Sequence, residues 1–140
     1  MVDTVVSQVL DPFKMARRKN NLPHKYYAVR LMNTSDGTGE AAVIKVDRST
    51  LLANDGAEPS KMAIEEILHN IQGFTYVKLL WDHSTDDLAA ILNGNNYHNF
   101  SDCLLVDPAS AGGTGDLLLT TTGATATSTY DITIVLRLFD

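Results

Sequence analysis

The chain has 140 residues, a single cysteine, 44% hydrophobic residues and a formal net charge of −6. This length supports one domain that buries roughly two-thirds of its unfolded surface, so neither a disulfide nor a metal is required for stability. With only Cys103 there can be no intramolecular disulfide, and that residue reads as a small apolar filler.

Apolar runs such as Ile132 to Leu136 fall far short of the ~18 residues of a membrane span. The start, Met-Val-Asp-Thr, lacks the basic-then-apolar order of a signal peptide, so a soluble protein made in the cytoplasm is expected. Charge is divided along the chain: residues 1–30 carry +4 and residues 31–140 carry −10. A basic leader on an acidic body suits docking on an acidic partner surface, while phosphates would repel the body itself.

Residues 1–23 read as an extended basic arm rather than a packed element. Val5, Val6, Val9 and Leu10 form a weak apolar patch, and Pro12 and Pro23 confine any helical turn between them. Phe13, Lys14, Arg17, Arg18 and Lys19 are the candidate partner-binding residues of this arm. Phe13 and Met15 among basic residues also suit single-stranded nucleic acid, but stacking proteins set their aromatics on a folded sheet, so a docking arm is preferred.

A β-sandwich domain is expected over residues 24–140. HKYYAVRLMN (24–33) and EAAVIKVDRS (40–49), separated by the Gly/Asp-rich TSDGTG, predict a hairpin with Ala42, Ile44 and Val46 on one face. Residues 51–60 form a loop around Asn54-Asp55-Gly56 and Pro59. The segment 60–73 has two readings. Ile64, Ile67, Leu68 and Ile71 fall at helical spacing between Ser60 and Gly73 as caps, whereas a strand would set Ile67, His69 and Ile71 on one face. In the strand, the adjacent Glu65 and Glu66 would point to opposite faces and could not act as an acid/base pair.

FTYVKLLW (74–81) predicts a strand with Val77, Leu79 and Trp81 on one face. Residues 87–92 form a second strand, 93–96 a turn, 103–106 a short strand and 107–115 a small-residue loop that lies flat or clamps a neighbour. DLLLTTTG (116–123) and TYDITIVLRLF (129–139) follow, the latter with Tyr130, Ile132, Ile134, Leu136 and Leu138 on one face. Seven or eight short strands with turn signals about every ten residues define an all-β, antiparallel β-sandwich or jelly-roll-like fold.

Asp82, His83, Asp86 and Asp87 after the Trp81 strand could supply metal ligands, or an Asp82-oriented His83 base. No Ser or Cys elbow and no second His at ligand spacing accompanies them. They are therefore read as a strand-end turn in which Asp82 and Ser84 bond local backbone N–H groups. His24, His69 and His98 stand far apart with no spacing that marks a site. GGTGD (112–116) lacks the lysine and following helix of a phosphate loop. No enzyme activity, cofactor or metal is expected.

The order GFTYVKLLWD, an acidic turn, a short strand, NFSD (99–102), AGGTGDLLLTTTG (111–123) and STYDITIVLRL (128–138) resembles capsid decoration, or cement, proteins of tailed bacteriophages. The resemblance covers about residues 61–138, with LLWD (79–82) and GTGDLLLTTTG (113–123) as its most specific pieces. It favours the strand reading of 60–72. It implies a virion protein on the outer capsid surface that ties neighbouring major capsid protein subunits together. A homo-oligomer is implied, a trimer by preference because shells offer threefold positions, with no direct contact to nucleic acid or membrane. Another virion β-module of tail or neck, or a small carbohydrate-binding or hydrolytic sandwich using the Asp82–Asp87 turn, are the competing readings.

Overall fold

Among the described residues, ten strands, all paired antiparallel, form two sheets that share one hydrophobic core, a β-sandwich. The computed structural model describes residues 3–10, 25–53 and 55–140. The strands are β1 (Thr4–Leu10), β2 (Lys25–Thr34), β3 (Val43–Val46), β4 (Lys61–Gln72), β5 (Tyr76–Trp81), β6 (Asp87–Leu92), β7 (Gly94–Asn99), β8 (Leu105–Val106), β9 (Leu117–Thr122) and β10 (Thr129–Phe139). One sheet has the order β1-β2-β10-β4-β7, with β8 continuing beyond β7 along the same edge of β4; the other has the order β3-β9-β5-β6.

β10 is the centre of the larger sheet because its sequence alternates without a break. Tyr130, Ile132, Ile134, Leu136 and Leu138 are all buried, and Asp131, Thr133, Val135 and Arg137 face outward, half-buried. β5 alternates in the same way across the core, burying Val77, Leu79 and Trp81 as the sequence predicts. Each large aliphatic side chain so buried contributes about 1.5–3 kcal/mol of transfer free energy.

The segment 60–72 resolves as strand β4. Its register against β10 slips between Val135 and Leu136: Val135 faces Glu66 and Leu136 faces Ile64, which leaves Glu65 as the extra residue of a β-bulge. The bulge sets the inward side chains of Ile64 and Ile67 three positions apart instead of two. That spacing imitates a helix, but Leu68, which a helix would bury, is 51% exposed. The bulge also overturns the expectation for the two glutamates. Glu65 and Glu66 both reach residues of the outward-facing series: Glu65 pairs with Arg137 at 2.7 Å, and Glu66 accepts from the Tyr97 hydroxyl.

The expected hairpin 24–33/40–49 does not form, because β2 and β3 belong to different sheets. Of the nine connections between strands, six cross from one sheet to the other. The link 35–42 is such a crossing, and the predicted strand 40–49 shrinks to β3. Ala42 takes a positive φ of 48°, and the Asp47 side chain caps a 3₁₀ turn at Arg48–Thr50 by accepting from Ser49 N. A bulge within β3 separates Ile44, 54% exposed, from the buried Val46, so the two do not share a face as predicted. The turn expected at 93–96 is likewise a crossing, which reverses at Asn93 and enters β7 at Gly94. The strand expected at 103–106 is trimmed to β8.

The arm expected over residues 1–23 starts differently from the reading above. Thr4–Leu10 pair with β2 along their whole length as an edge strand, Thr4 facing Thr34 and Leu10 facing Ala28. Spaced apolar residues without a strong period give little signal when both faces of a strand are open. Asp3 fixes the start of this strand by accepting hydrogen bonds from Asn33 Nδ2 (3.0 Å), Ser35 Oγ (2.9 Å), Gly39 N (3.1 Å) and Asp36 N (3.2 Å). Burial raises the Asp3 pKa, but these donors outweigh it and hold the carboxyl at about 2. Next to it Glu40 gathers Asn33 Nδ2 (2.9 Å), the Tyr130 hydroxyl (2.5 Å) and Lys45 Nζ (2.5 Å), a buried network that closes this crossing.

The strand register predicts unequal costs for neighbouring residues of β4. Ile67→Ala should lose about 2–5 kcal/mol in denaturant unfolding, whereas Leu68→Ala should lose less than about 1 kcal/mol. Equal losses would refute the register.

Candidate functional site

The turn between β5 and β6 is where the sequence concentrates its acidic and histidine residues, and the structure clamps it under the loop that leads to β9. Backbone bonds run both ways: Asp82 N donates to Asp116 O (2.9 Å), Gly115 N to Asp82 O (2.9 Å) and Ser84 N to Ala111 O (3.1 Å). This close approach requires glycine. A Cβ on Gly113, whose φ is +67°, would lie 2.4 Å from the Asp82 carbonyl oxygen, and one on Gly112 would lie 1.9 Å from Ser84 Oγ. The small-residue loop therefore clamps a neighbour, as its composition suggested.

The side chains complete the junction. Thr114 Oγ1 donates to Asp82 Oδ2 at 2.7 Å, so Asp82 bonds across to the loop and not to its own turn. The local role expected of Asp82 and Ser84 falls to Asp86, whose Oδ1 accepts from His83 N at 3.2 Å. His83 is buried with both ring nitrogens engaged: Nδ1 lies 2.9 Å from Gly112 O and Nε2 lies 2.6 Å from Asp107 Oδ1. Asp107 is also buried and accepts from Ala109 N at 2.9 Å. Asp87 Oδ2 lies 3.8 Å from His83 Nε2. Burial acts to lower the His83 pKa, but the hydrogen bonds to Asp107 and Gly112 and the charges of Asp107 and Asp87 outweigh it and raise it.

A cleft of about 180 Å³ opens beside this junction, lined by Arg48, Ser60, His83, Asp107, Ser110 and Thr114 among others. Arg48 closes its floor by donating to Thr114 O (2.9 Å), Ser60 O (2.7 Å) and Pro59 O (2.9 Å), while its backbone N donates to Asp116 Oδ1 (2.8 Å). Asp107 is the member that the sequence reading missed. It stands 24 positions from His83, and only the clamped geometry brings the two together.

A second histidine site emerges from residues with no motif spacing. His69 on β4 and His98 on β7 stack with ring centroids 5.3 Å apart and Nε2 atoms 3.3 Å apart, and Phe100 stacks on the far side of His98. His69 Nδ1 lies 3.1 Å from Gly94 O. Burial and the neighbouring His98 lower the His69 pKa against the opposing pull of the Gly94 carbonyl. Antiparallel pairing of β4 with β7 sets these rings together. A signal would have been two histidines on one face of adjacent strands, His98 standing two residues from Asn96, the partner of His69, and that requires the strand order in advance. His24, Phe13, Lys14, Arg17, Arg18 and Lys19 lie outside the described residues.

No family model, no curated protein and no solved structure matches this chain.

Two outcomes are expected from this geometry. Gly113→Ala should lower stability by about 2 kcal/mol or more, because a strained φ and a backbone clash coincide, read as a fall in the urea midpoint. For His69, the unfolded state binds more protons than the folded state between the lowered pKa and the ordinary 6.5. Stability should therefore fall as pH drops through about 6.5, and the difference between wild type and His69→Gln in melts from pH 5 to pH 8 isolates that contribution from the opposite one of His83.

Proposed function

We propose that this protein is a structural virion component, a capsid decoration protein that binds the outer surface of a tailed-phage head and ties neighbouring major capsid protein subunits together. The observation that carries this reading is β1. Every residue from Thr4 to Val9 is exposed although the strand is fully paired on one side. Val5, Val6 and Val9 are 38%, 47% and 64% exposed, and among the described residues no strand pairs with the outer backbone edge of β1. An apolar edge of this kind fits a partner that adds a strand or covers it.

Three further features support the reading. The acidic body of the chain, −10 over residues 31–140, disfavours contact with packaged nucleic acid. The basic residues Lys14, Arg17, Arg18 and Lys19 follow β1 closely in the sequence and would suit an acidic partner surface. The strand Lys61–Gln72 agrees with the reading of 60–72 that the resemblance favours, and no described helix is long and apolar enough to cross a membrane.

The mechanism is differential binding. A protein that engages a grouping of coat subunits present only in the mature shell stabilises that shell by mass action. A durable contact of this type buries more than about 1,000 Å², so β1 alone does not supply it, and assembly into a trimer at threefold positions multiplies it.

The test is co-sedimentation with undecorated heads. Val6→Lys combined with Val9→Lys should leave the melting temperature unchanged within about 2 °C, since both side chains are exposed, and should reduce head occupancy at least tenfold. Full occupancy by the double variant would remove β1 from the binding surface, and failure of the wild type to bind heads would overturn the reading.

A further inference from the structure

We propose that His83, Asp87 and Asp107 form a divalent-cation site of the zinc class at the clamped β5–β6 turn. The inference stands on the local geometry and does not depend on the decoration reading. Each of the three residues offers one ligand atom, and these atoms lie within 4.8 Å of one another.

The hydrogen-bond inventory identifies what is missing from the cluster. Gly112 O can only accept, so His83 Nδ1 carries a proton and donates to it at 2.9 Å. This is the outer-shell bond that orients a metal-binding imidazole and turns its other nitrogen outward as a ligand. His83 Nε2 then faces two carboxylate oxygens, Asp107 Oδ1 at 2.6 Å and Asp87 Oδ2 at 3.8 Å. With the ring neutral all three atoms are acceptors, and the donor described at them, Ala109 N, reaches Asp107 Oδ1 alone at 2.9 Å, so the centre needs a positive charge.

A proton on Nε2 supplies that charge to Asp107 alone. Asp87 Oδ2 is shielded from solvent and has no hydrogen-bond partner, although the Asp87 side chain as a whole is 30% exposed. A divalent ion accounts for all three atoms together. Zinc bound at about 2.0–2.2 Å by imidazole nitrogen and carboxylate oxygen in a tetrahedral arrangement holds its ligands roughly 3.4 Å apart. The two separations from Nε2, 2.6 and 3.8 Å, bracket that value, and all three ligand atoms lie within 4.8 Å of one another, so small side-chain adjustments bring them to a shared ion.

One imidazole with two carboxylates is a donor set suited to zinc rather than to magnesium, which demands near-octahedral oxygen ligation. The cleft lined by Ser60, Ser110 and Thr114 gives the ion an entry and leaves a coordination position for water. Bound there, the ion ties the Asp107 loop to the start of β6 at the point where Gly112 and Gly113 already press on the turn.

The experiment uses the full chain, stripped with a chelator and titrated with ZnCl₂ and, separately, MgCl₂. One equivalent of zinc should bind with a calorimetric heat and raise the melting temperature by several degrees, reversed by EDTA, while magnesium does neither. Asp87→Asn should melt near the metal-free wild type and bind zinc at least about tenfold more weakly. In the zinc-saturated protein, the ¹⁵N signal of His83 Nε2 should move from its protonated to its metal-bound position while Nδ1 keeps its proton. Absence of heat and melting shift at millimolar zinc overturns the proposal. So does zinc binding that Asp87→Asn leaves unchanged, which would place the ion elsewhere, as at the His69–His98 pair. So does a His83 Nε2 that stays protonated under saturating zinc, which would assign the centre to a proton.

Discussion

The structure depends on β10 having both backbone edges paired and one face wholly apolar. It pairs residue by residue with β2 on one side and β4 on the other, and its five inward side chains form the floor on which the smaller sheet rests. That smaller sheet is held by side-chain contact rather than by ladder hydrogen bonds. Val77, Leu79 and Trp81 of β5 with Leu117 and Leu119 of β9 meet Ile132, Ile134 and Leu136 across the core. A buried area of this kind tolerates little change in volume, because interiors pack to crystal-like density.

Polar groups concentrate where the chain passes between the sheets. Backbone leaving a ladder has donors and acceptors that must be satisfied locally, and several crossings meet that need with a small network. Asp3 and Glu40 serve the passage from β2 to β3, and Arg48 with Asp116 braces the ends of two others. Ser128 serves the passage from β9 to β10, where it donates from its backbone to Thr125 O at 3.1 Å and accepts at Oγ from Thr125 N at 2.9 Å. Buried charge in these networks is paired, as the low dielectric requires. The His83 junction differs: it joins a turn within one sheet to a loop entering from the other, and its acceptors outnumber its donors.

The all-β class and the faces of β5 and β10 were legible because uninterrupted alternation is a property of neighbouring residues. Segment 60–72 was ambiguous for the converse reason. A single inserted residue, Glu65, converts a period of two into a spacing of three at Ile64 and Ile67, and the sequence carries no local mark of the partner against which the slip occurs. The lost hairpin has the same origin, since alternation in 24–33 and 40–49 specifies two strands but not which sheet each joins. Asp82, His83, Asp86 and Asp87 were found as a group. Asp107 was not, because its relation to His83 is created by two glycines pressing on a turn, a contact that no spacing rule encodes.

β1 has one more consequence, for how copies of this protein meet one another. Among the described residues, seven without a charge or a proline form an edge that no strand covers, of the kind that pairs indiscriminately when nothing opposes it. The opposition here is long-ranged: acidic bodies repel one another over a Debye length of about 8 Å at physiological ionic strength. Like copies are thereby held back from edge-to-edge pairing, while a surface of different charge is not. Edge-to-edge pairing of β1 between copies is thus disfavoured by charge rather than by any residue of the strand itself.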